Sequence, residues 1–312
     1  MSDLQGVLTP HECSGDKRLD YFLGRARYIE RVTRPLISIL VPAYGQPELL
    51  SKALMSVLRQ DYRPLELIVS DDCSPLELEP VDELLRSSNN QGLRLHWFRQ
   101  STNLGAYGNM HFCWMQATGD YFMYLPHDDE LIATEFLTSA VHELEREENR
   151  NVFIANSSVE DDSGVDRFAM DICCPDRPEV FELHGSEFVV DWLFGRAHPA
   201  YSAVVLRKSV LHERNYDSTW LKSRVVSQLK IEPDEGYAGI ILAAWDSHVV
   251  MSTSVVSRRG RPETSWSKTT YWQWKGCNGL LLQYRNLARV LSMCGAVDLA
   301  KFVRSLSRRR VY

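Results

Sequence analysis

From residue 36 the chain alternates short apolar runs with stretches of helical spacing. Leu36-Ile37-Ser38-Ile39-Leu40-Val41 is a buried-strand run that ends at Pro42. Over Pro47–Gln60, Leu50, Ala53, Leu54, Val57 and Leu58 recur at helical spacing, and Pro47 suits a first helical position. The pattern then predicts a strand over Leu65–Ser70, a helix over Val81–Ser87 and a strand over Leu93–Phe98. A helix over Ala106–Ala117 and a strand over Tyr121–Leu125 follow. Further on come helix Phe136–Glu147, strand Val152–Ser157, an acidic excursion over Glu160–Arg177, helix Glu187–Phe194 and strand Tyr201–Leu206. Another helix opens near Pro233-Asp234-Glu235-Gly236. This alternation predicts an α/β fold with a mainly parallel sheet flanked by helices, in which ligands bind beyond the carboxyl ends of the strands.

Three polar motifs sit at such strand ends: Pro42-Ala43-Tyr44, Asp71-Asp72 and His127-Asp128-Asp129. Adjacent carboxylates repel unless a cation lies between them. The pair Asp128-Asp129 suits Mn²⁺ or Mg²⁺, hard ions that take one or two carboxylates and complete their shell with phosphate oxygens. An N-cap for the following segment is the competing reading of these two residues. The second pair, Asp71-Asp72, also closes an apolar strand and favours the cation. His127 fits packing or a donor contact better than ligation, since zinc would need further N or S ligands.

The ordered motifs resemble the family 2 glycosyltransferases, inverting enzymes of the GT-A fold. The residues that carry the resemblance are Val41-Pro42-Ala43-Tyr44-Gly45, Ser56-Val57-Leu58-Arg59-Gln60, Val69-Ser70-Asp71-Asp72-Cys73-Ser74, Asn103-Leu104-Gly105 with Asn109, and Ala117-Thr118-Gly119-Asp120-Tyr121. The resemblance implies that Pro42, Ala43 and Tyr44 line a nucleotide base pocket and that Asp72 hydrogen-bonds the base. Asp71, Asn103, Gly105 and Asn109 belong to the same nucleotide-binding motifs. It further implies that Asp129 holds the cation and that Asp128 lies near the donor ribose or sugar and beside the metal. Two positions depart from the family pattern: Pro126 replaces the first carboxylate of Asp-x-Asp-Asp, and Gly45 replaces the usual Asn. The family's catalytic base is an acid opening a late helix, matched by Asp234 ahead of Glu235, with Asp217 and Asp246 behind them; a helix cap is the bland reading of that pair. Arg258 and Arg259 match a diphosphate-contacting segment, and a solvated basic loop fits them equally.

The implied activity is sugar transfer from a nucleoside diphosphate donor, with UDP-sugar first in line, to a saccharide or lipid-linked saccharide acceptor. The resemblance places it in polysaccharide, O-antigen or glycoconjugate assembly. A catalytically degenerate scaffold and a nucleotidyltransferase are the alternatives. Against the second, the first strand lacks a Gly-rich phosphate loop.

Composition narrows this further. The 312 residues are 44% hydrophobic, enough for a full core. The seven cysteines show no metal or disulfide spacing, which fits a reduced, cytoplasmic setting. Residues 258–312 hold 12 Lys/Arg against 2 Asp/Glu, leaving a charge of −16 on residues 1–257 within a total of −6. So acidic a body argues against nucleic acid as a partner. No apolar run of transmembrane length occurs. The tail repeats Leu281, Tyr284, Leu287, Leu291 and then Leu299, Phe302, Val303, Leu306 at helical spacing, with Arg and Lys between. Packing on the catalytic domain and peripheral contact with an anionic membrane surface both fit it. The expected organisation is an N-terminal extension (1–34), a GT-A domain (35–268) and C-terminal amphipathic basic helices (269–312).

Overall fold

The computed structural model describes residues 34–76, 78–80, 86, 92–160, 166–168, 178–193, 199–213, 235–260, 288, 292 and 296–309. Ten strands occur among them: β1 Ile37–Ala43, β2 Leu65–Asp71, β3 Leu93–Arg99, β4 Tyr121–Tyr124, β5 Asp129–Leu131, β6 Arg150–Glu160, β7 Asp166–Phe168, β8 Val180–His184, β9 Val204–Arg207 and β10 His248–Arg259. The helices are α1 Pro47–Leu58, α2 Gly105–Gln116, α3 Phe136–Leu144, α4 Gly185–Leu193, α5 Lys208–Glu213, α6 Glu235–Ala244 and α7 Val297–Arg309. A 3₁₀ turn, Tyr201–Ala203, leads into β9.

The sheet order is β3-β2-β1-β4-β9-β6-β10-β5, with β7 on β6 and β8 on β10. Strands β1–β4 are parallel, and β6 and β10 run parallel to each other. Antiparallel β9 joins these two halves by pairing with β4 and β6, and β5 and β8 pair antiparallel with β10. The sheet is therefore mixed and mainly parallel in its first half. All the long parallel strands end at one edge, and β5 starts there.

Strand alternation divides the core into two layers. Ile37, Ile39 and Val41 pack with Leu50, Leu54 and Val57 of α1 and with Phe136, Leu137 and Ala140 of α3. On the other face Leu40, Ile68 and Phe122 meet Cys113 and Trp114 of α2, Phe188 and Val189 of α4, and Ile240–Ala244 of α6. A period of two along each strand produces both layers from one run of apolar residues.

Helix α7 joins the second layer through Leu299, Ala300 and Val303, all buried, with Lys301 and Arg304 on the exposed side. Its apolar stripe thus faces protein, the packing arrangement of the two expected from sequence. Residues 269–287, which carry the first half of the tail pattern, lie outside the described residues, as does most of the 81–87 helix. Residues Leu36–Tyr312 cluster as one compact unit; residues 1–33, the expected N-terminal extension, lie outside the described residues. Among the described residues no helix is long and apolar enough to cross a membrane.

Candidate functional site

At the carboxyl edge, β1 turns outward at Tyr44, whose ring is 47% exposed although its neighbour Ala43 is buried. A large aromatic left in solvent at a strand end presents an uncovered apolar face. The next two residues are left-handed, Gly45 at φ 63° and Gln46 at φ 54°, before Pro47 starts α1. The Gly45 N–H donates to Ser74 Oγ at 2.8 Å, tying this turn to the loop after β2.

The Asp71-Asp72 pair divides its work. Asp71 is fully buried; its Oδ1 accepts from the Ser74 N–H and hydroxyl, and its Oδ2 from the Arg99 guanidinium. Arg99 also donates to the Ser74 carbonyl (3.0 Å). Asp71 therefore orders the loop and faces protein rather than solvent. Asp72 receives the Leu104 N–H on Oδ1 at 2.6 Å, and the Gly105 N–H also reaches its carboxylate, at the start of α2. Burial raises the Asp72 pKa against the pull of these donors, and Asp71 adds to the rise.

Asn103 joins the same corner by donating to the Asp72 carbonyl (3.2 Å) and accepting from the Gly105 N–H (2.9 Å). Asn109 is buried and donates to the Ser70 carbonyl (2.8 Å), holding the ends of β1 and β2 together. Its Oδ1 has no hydrogen-bond partner.

The second carboxylate pair lies on the same edge. A turn closed by the Asp129 N–H to the Pro126 carbonyl (2.9 Å) ends β4 and starts β5. His127 in that turn contacts the Pro42 carbonyl, and its Nε2 is buried without a partner. Burial lowers the His127 pKa, with Asp128 opposing.

Asp129 is only 6% exposed, and Asp128 is partly exposed. Register pairs Asp129 with Arg259 and Glu130 with Arg258 across β5–β10. The basic segment that the sequence left open between a loop and a phosphate contact is thus the end of a strand. Glu130 pairs with Arg59 (2.7 Å) and Arg258 (3.6 Å). Gly260 runs against Asp128 so closely that a Cβ there would lie 2.0 Å from the Asp128 carbonyl oxygen.

Burial, followed by the charge of Asp128, pushes the Asp129 carboxyl up to about 7, against Arg259, the Ser202 hydroxyl and the Gly260 N–H. Desolvation and a neighbouring like charge both disfavour the ionised form, as they do here. Asp128 and Asp129 have the oxygen-donor chemistry that Mn²⁺ or Mg²⁺ takes. A second group, Glu147, Glu182 and His248, brings ligand atoms within 4.8 Å of one another. It lies at the opposite edge of the sheet, and Arg150 already binds Glu182 (2.6 Å) and Glu147 (3.5 Å) there.

Asp234 and Asp217 lie outside the described residues. Glu235 is the first residue of α6, and Asp246 is exposed just beyond that helix. Sequence reasoning missed Ser202, Ser257 and Arg99, the partners that hold the two acidic pairs. Serines in a strand or a 3₁₀ turn carry no periodic signal, and Arg99 looks like an ordinary polar end of β3.

The mixed α/β sheet carries two acidic pairs and the exposed Tyr44 on one edge. Residues 38–213, more than half of the chain, match the family model "Glycosyl transferase family 2", and the chain belongs to that family. Over 100 residues it is 35% identical to GalNAc(5)-diNAcBac-PP-undecaprenol beta-1,3-glucosyltransferase of Campylobacter jejuni, covering 32% of this chain and 31% of that one. The matched segment spans about a third of the curated relatives' length. Among solved structures, S. aureus TarS 1-349 in complex with UDP-GlcNAc superposes with a TM-score of 0.61 at 15% identity, over 88% of this chain and 72% of that one. The mannosyltransferase PcManGT of Pyrobaculum calidifontis, in complex with GDP-Man and Mn²⁺, gives 0.51 at 14% identity, over 93% and 80%. At these identities the likeness is one of fold.

Proposed function

We propose that the chain transfers a sugar from a nucleoside diphosphate donor, a UDP-sugar first, to a hydroxyl of a saccharide or lipid-linked saccharide, inverting the anomeric centre. The convergence of Tyr44, Asp72, Asp128, Asp129 and Arg259 on one sheet edge carries this reading. UDP-GlcNAc bound to TarS and the diphosphate-linked name of the Campylobacter relative support the donor and acceptor classes.

In this reading Tyr44 stacks on the base and the Asp72 carboxylate, only 3% exposed at the end of β2, accepts a base N–H. Asp71, clamped by Arg99 and Ser74, fixes the loop that presents Asp72. Asp128 and Asp129 would hold Mn²⁺ or Mg²⁺, which supplies charge stabilisation for the departing diphosphate. Arg259, beside Asp129, contributes positive charge on the same side. Asp234 or Glu235 takes the acceptor proton as general base, a role that calls for a carboxylate within reach of the attacking hydroxyl. In-line attack opposite the diphosphate inverts the sugar carbon.

The test is release of nucleoside diphosphate from a panel of nucleotide sugars with Mn²⁺, with and without excess chelator. Metal-dependent release from one donor is expected, with product of inverted configuration by NMR. Asp234→Asn or Glu235→Gln should cut transfer about 10²–10⁴-fold while leaving donor affinity in place. Turnover that persists in chelator would end the metal reading, and a product of retained configuration would end inversion.

A further inference from the structure

Ser202 lies in the 3₁₀ turn before β9, far from Asp129 in sequence, and is fully buried. Its hydroxyl donates to Asp129 Oδ2 at 2.7 Å and lies 3.1 Å from the Ser257 hydroxyl, which is also fully buried. Each hydroxyl has one proton and an ionised carboxylate only accepts. With Asp129 ionised, the proton of Ser202 goes to the carboxylate, so Ser257 supplies the second hydrogen bond. The order Ser257 to Ser202 to Asp129 then has a fixed direction.

Packing alone does not explain these serines. Ala200 and Ala203 flank the same turn, both buried, and show that small apolar residues fit there. Burying a hydroxyl costs free energy unless it is hydrogen-bonded. In this place the hydroxyl's hydrogen bond to a carboxylate gives it a use.

We propose that Ser202 is a positioning residue for divalent-cation binding at Asp129, backed by Ser257, an inference that rests on the reading of Asp129 as a metal carboxylate. Anchoring Oδ2 from the turn before β9 fixes the plane of the carboxylate. The Gly260 N–H also bonds this carboxylate, so the turn before β9 and the end of β10 hold it together. Groups that hold a metal carboxylate from behind typically change metal affinity about 10–100-fold when removed.

The experiment measures the Mn²⁺ dissociation constant of the full chain by the EPR signal of free Mn²⁺ at saturating UDP. Ser202→Ala should weaken binding about tenfold. Ser257→Ala should weaken it less, and Ser202→Thr, which keeps the hydroxyl, should recover most of the loss. Melting curves in chelator identify any variant that has lost its fold, in which case the Ser257→Ala and Ser202→Thr pair decides. An unchanged dissociation constant in Ser202→Ala, alongside lost binding in Asp129→Asn, overturns the role of Ser202 and leaves the metal reading intact. Wild-type protein that binds no Mn²⁺, or Asp129→Asn that binds it normally, overturns the metal reading and this inference with it.

Discussion

Asp129 and Arg259 stand opposite each other as register partners in the antiparallel β5–β10 pair. The guanidinium favours ionised Asp129, yet burial and Asp128 hold its carboxyl at about 7. On the proposed metal reading, a proton and a divalent cation compete for one seat across the acidic range.

The sign of the resulting pH effect follows from linkage. The folded value lies above the ordinary carboxylate value of 3.8, so metal-free folded protein holds this proton more tightly than unfolded chain. Stability from this group is full below the unfolded value and declines as pH rises toward about 7. If Asp129 holds Mn²⁺ as proposed, the ion replaces the proton, and the gain in Tm on adding Mn²⁺ should grow over that window and level off above it. Arg259→Gln should move the levelling-off to higher pH. Thermal melts across pH, with and without Mn²⁺, check this; a gain that ignores pH would contradict it.

Asp72→Ala should have two separable effects. Losing a charged hydrogen bond to the base should cost about 1.5–3 kcal/mol of UDP binding. The Leu104 N–H also loses its acceptor at the start of α2, which should cost about 1 kcal/mol of stability. Calorimetry with UDP and a denaturant titration read the two apart. UDP affinity equal to wild type would remove Asp72 from the base pocket.

Gly260→Ala tests how closely β10 must approach the acidic turn. A methyl group 2.0 Å from the Asp128 carbonyl oxygen cannot be accommodated in place. The strand end should shift, breaking the Gly260 N–H bond to Asp129 and lowering Mn²⁺ affinity more than Tm. Mn²⁺ titration beside a melting curve measures both. Wild-type affinity in this variant would show that the turn tolerates displacement.

Glu66 gives a structural control at the other edge of the sheet. It is buried and accepts from Ser38 Oγ (2.6 Å), Thr118 N–H (2.8 Å) and Thr118 Oγ1 (2.8 Å). Burial pushes its pKa up, but these donors and His96 together hold it below the ordinary value. Its contribution is therefore present above the unfolded pKa and lost as pH falls through the folded one. Glu66→Ala should cost about 1–3 kcal/mol at neutral pH and blunt the acid-induced loss of stability. UDP and Mn²⁺ affinity should not change. Denaturant titrations at neutral and acid pH, with ligand binding alongside, provide the check.

The first half of the fold was legible because buried parallel strands are continuous apolar runs. Val69-Ser70-Asp71 and Tyr121–Leu125 declare themselves by composition and by where the apolar run stops. The strand β5 was not legible, since three residues have no period and their partner lies at Ser257–Arg259, beyond most of the chain. For the same reason Arg258 and Arg259 could be taken for a loop. Tyr201 opens a 3₁₀ turn rather than the strand its β-forming side chain suggests, and β9 begins at Val204. At the site, the acidic pairs stand out by charge, whereas Ser202 and Ser257 matter only through a contact made after folding.

The left-handed turn at Gly45 has a consequence for change of specificity. A Cβ built at that position meets no atom within 4 Å, and the left-handed backbone there, strained for most side chains, is one that asparagine tolerates better than most. The Gly45 N–H is already fastened to Ser74, so the main chain would not need to move. Position 45 is thus an open socket beside the Tyr44 platform. An amide could enter it by a single substitution and bring a new donor and acceptor to the proposed base pocket, with the Arg99–Asp71–Ser74 clamp left untouched.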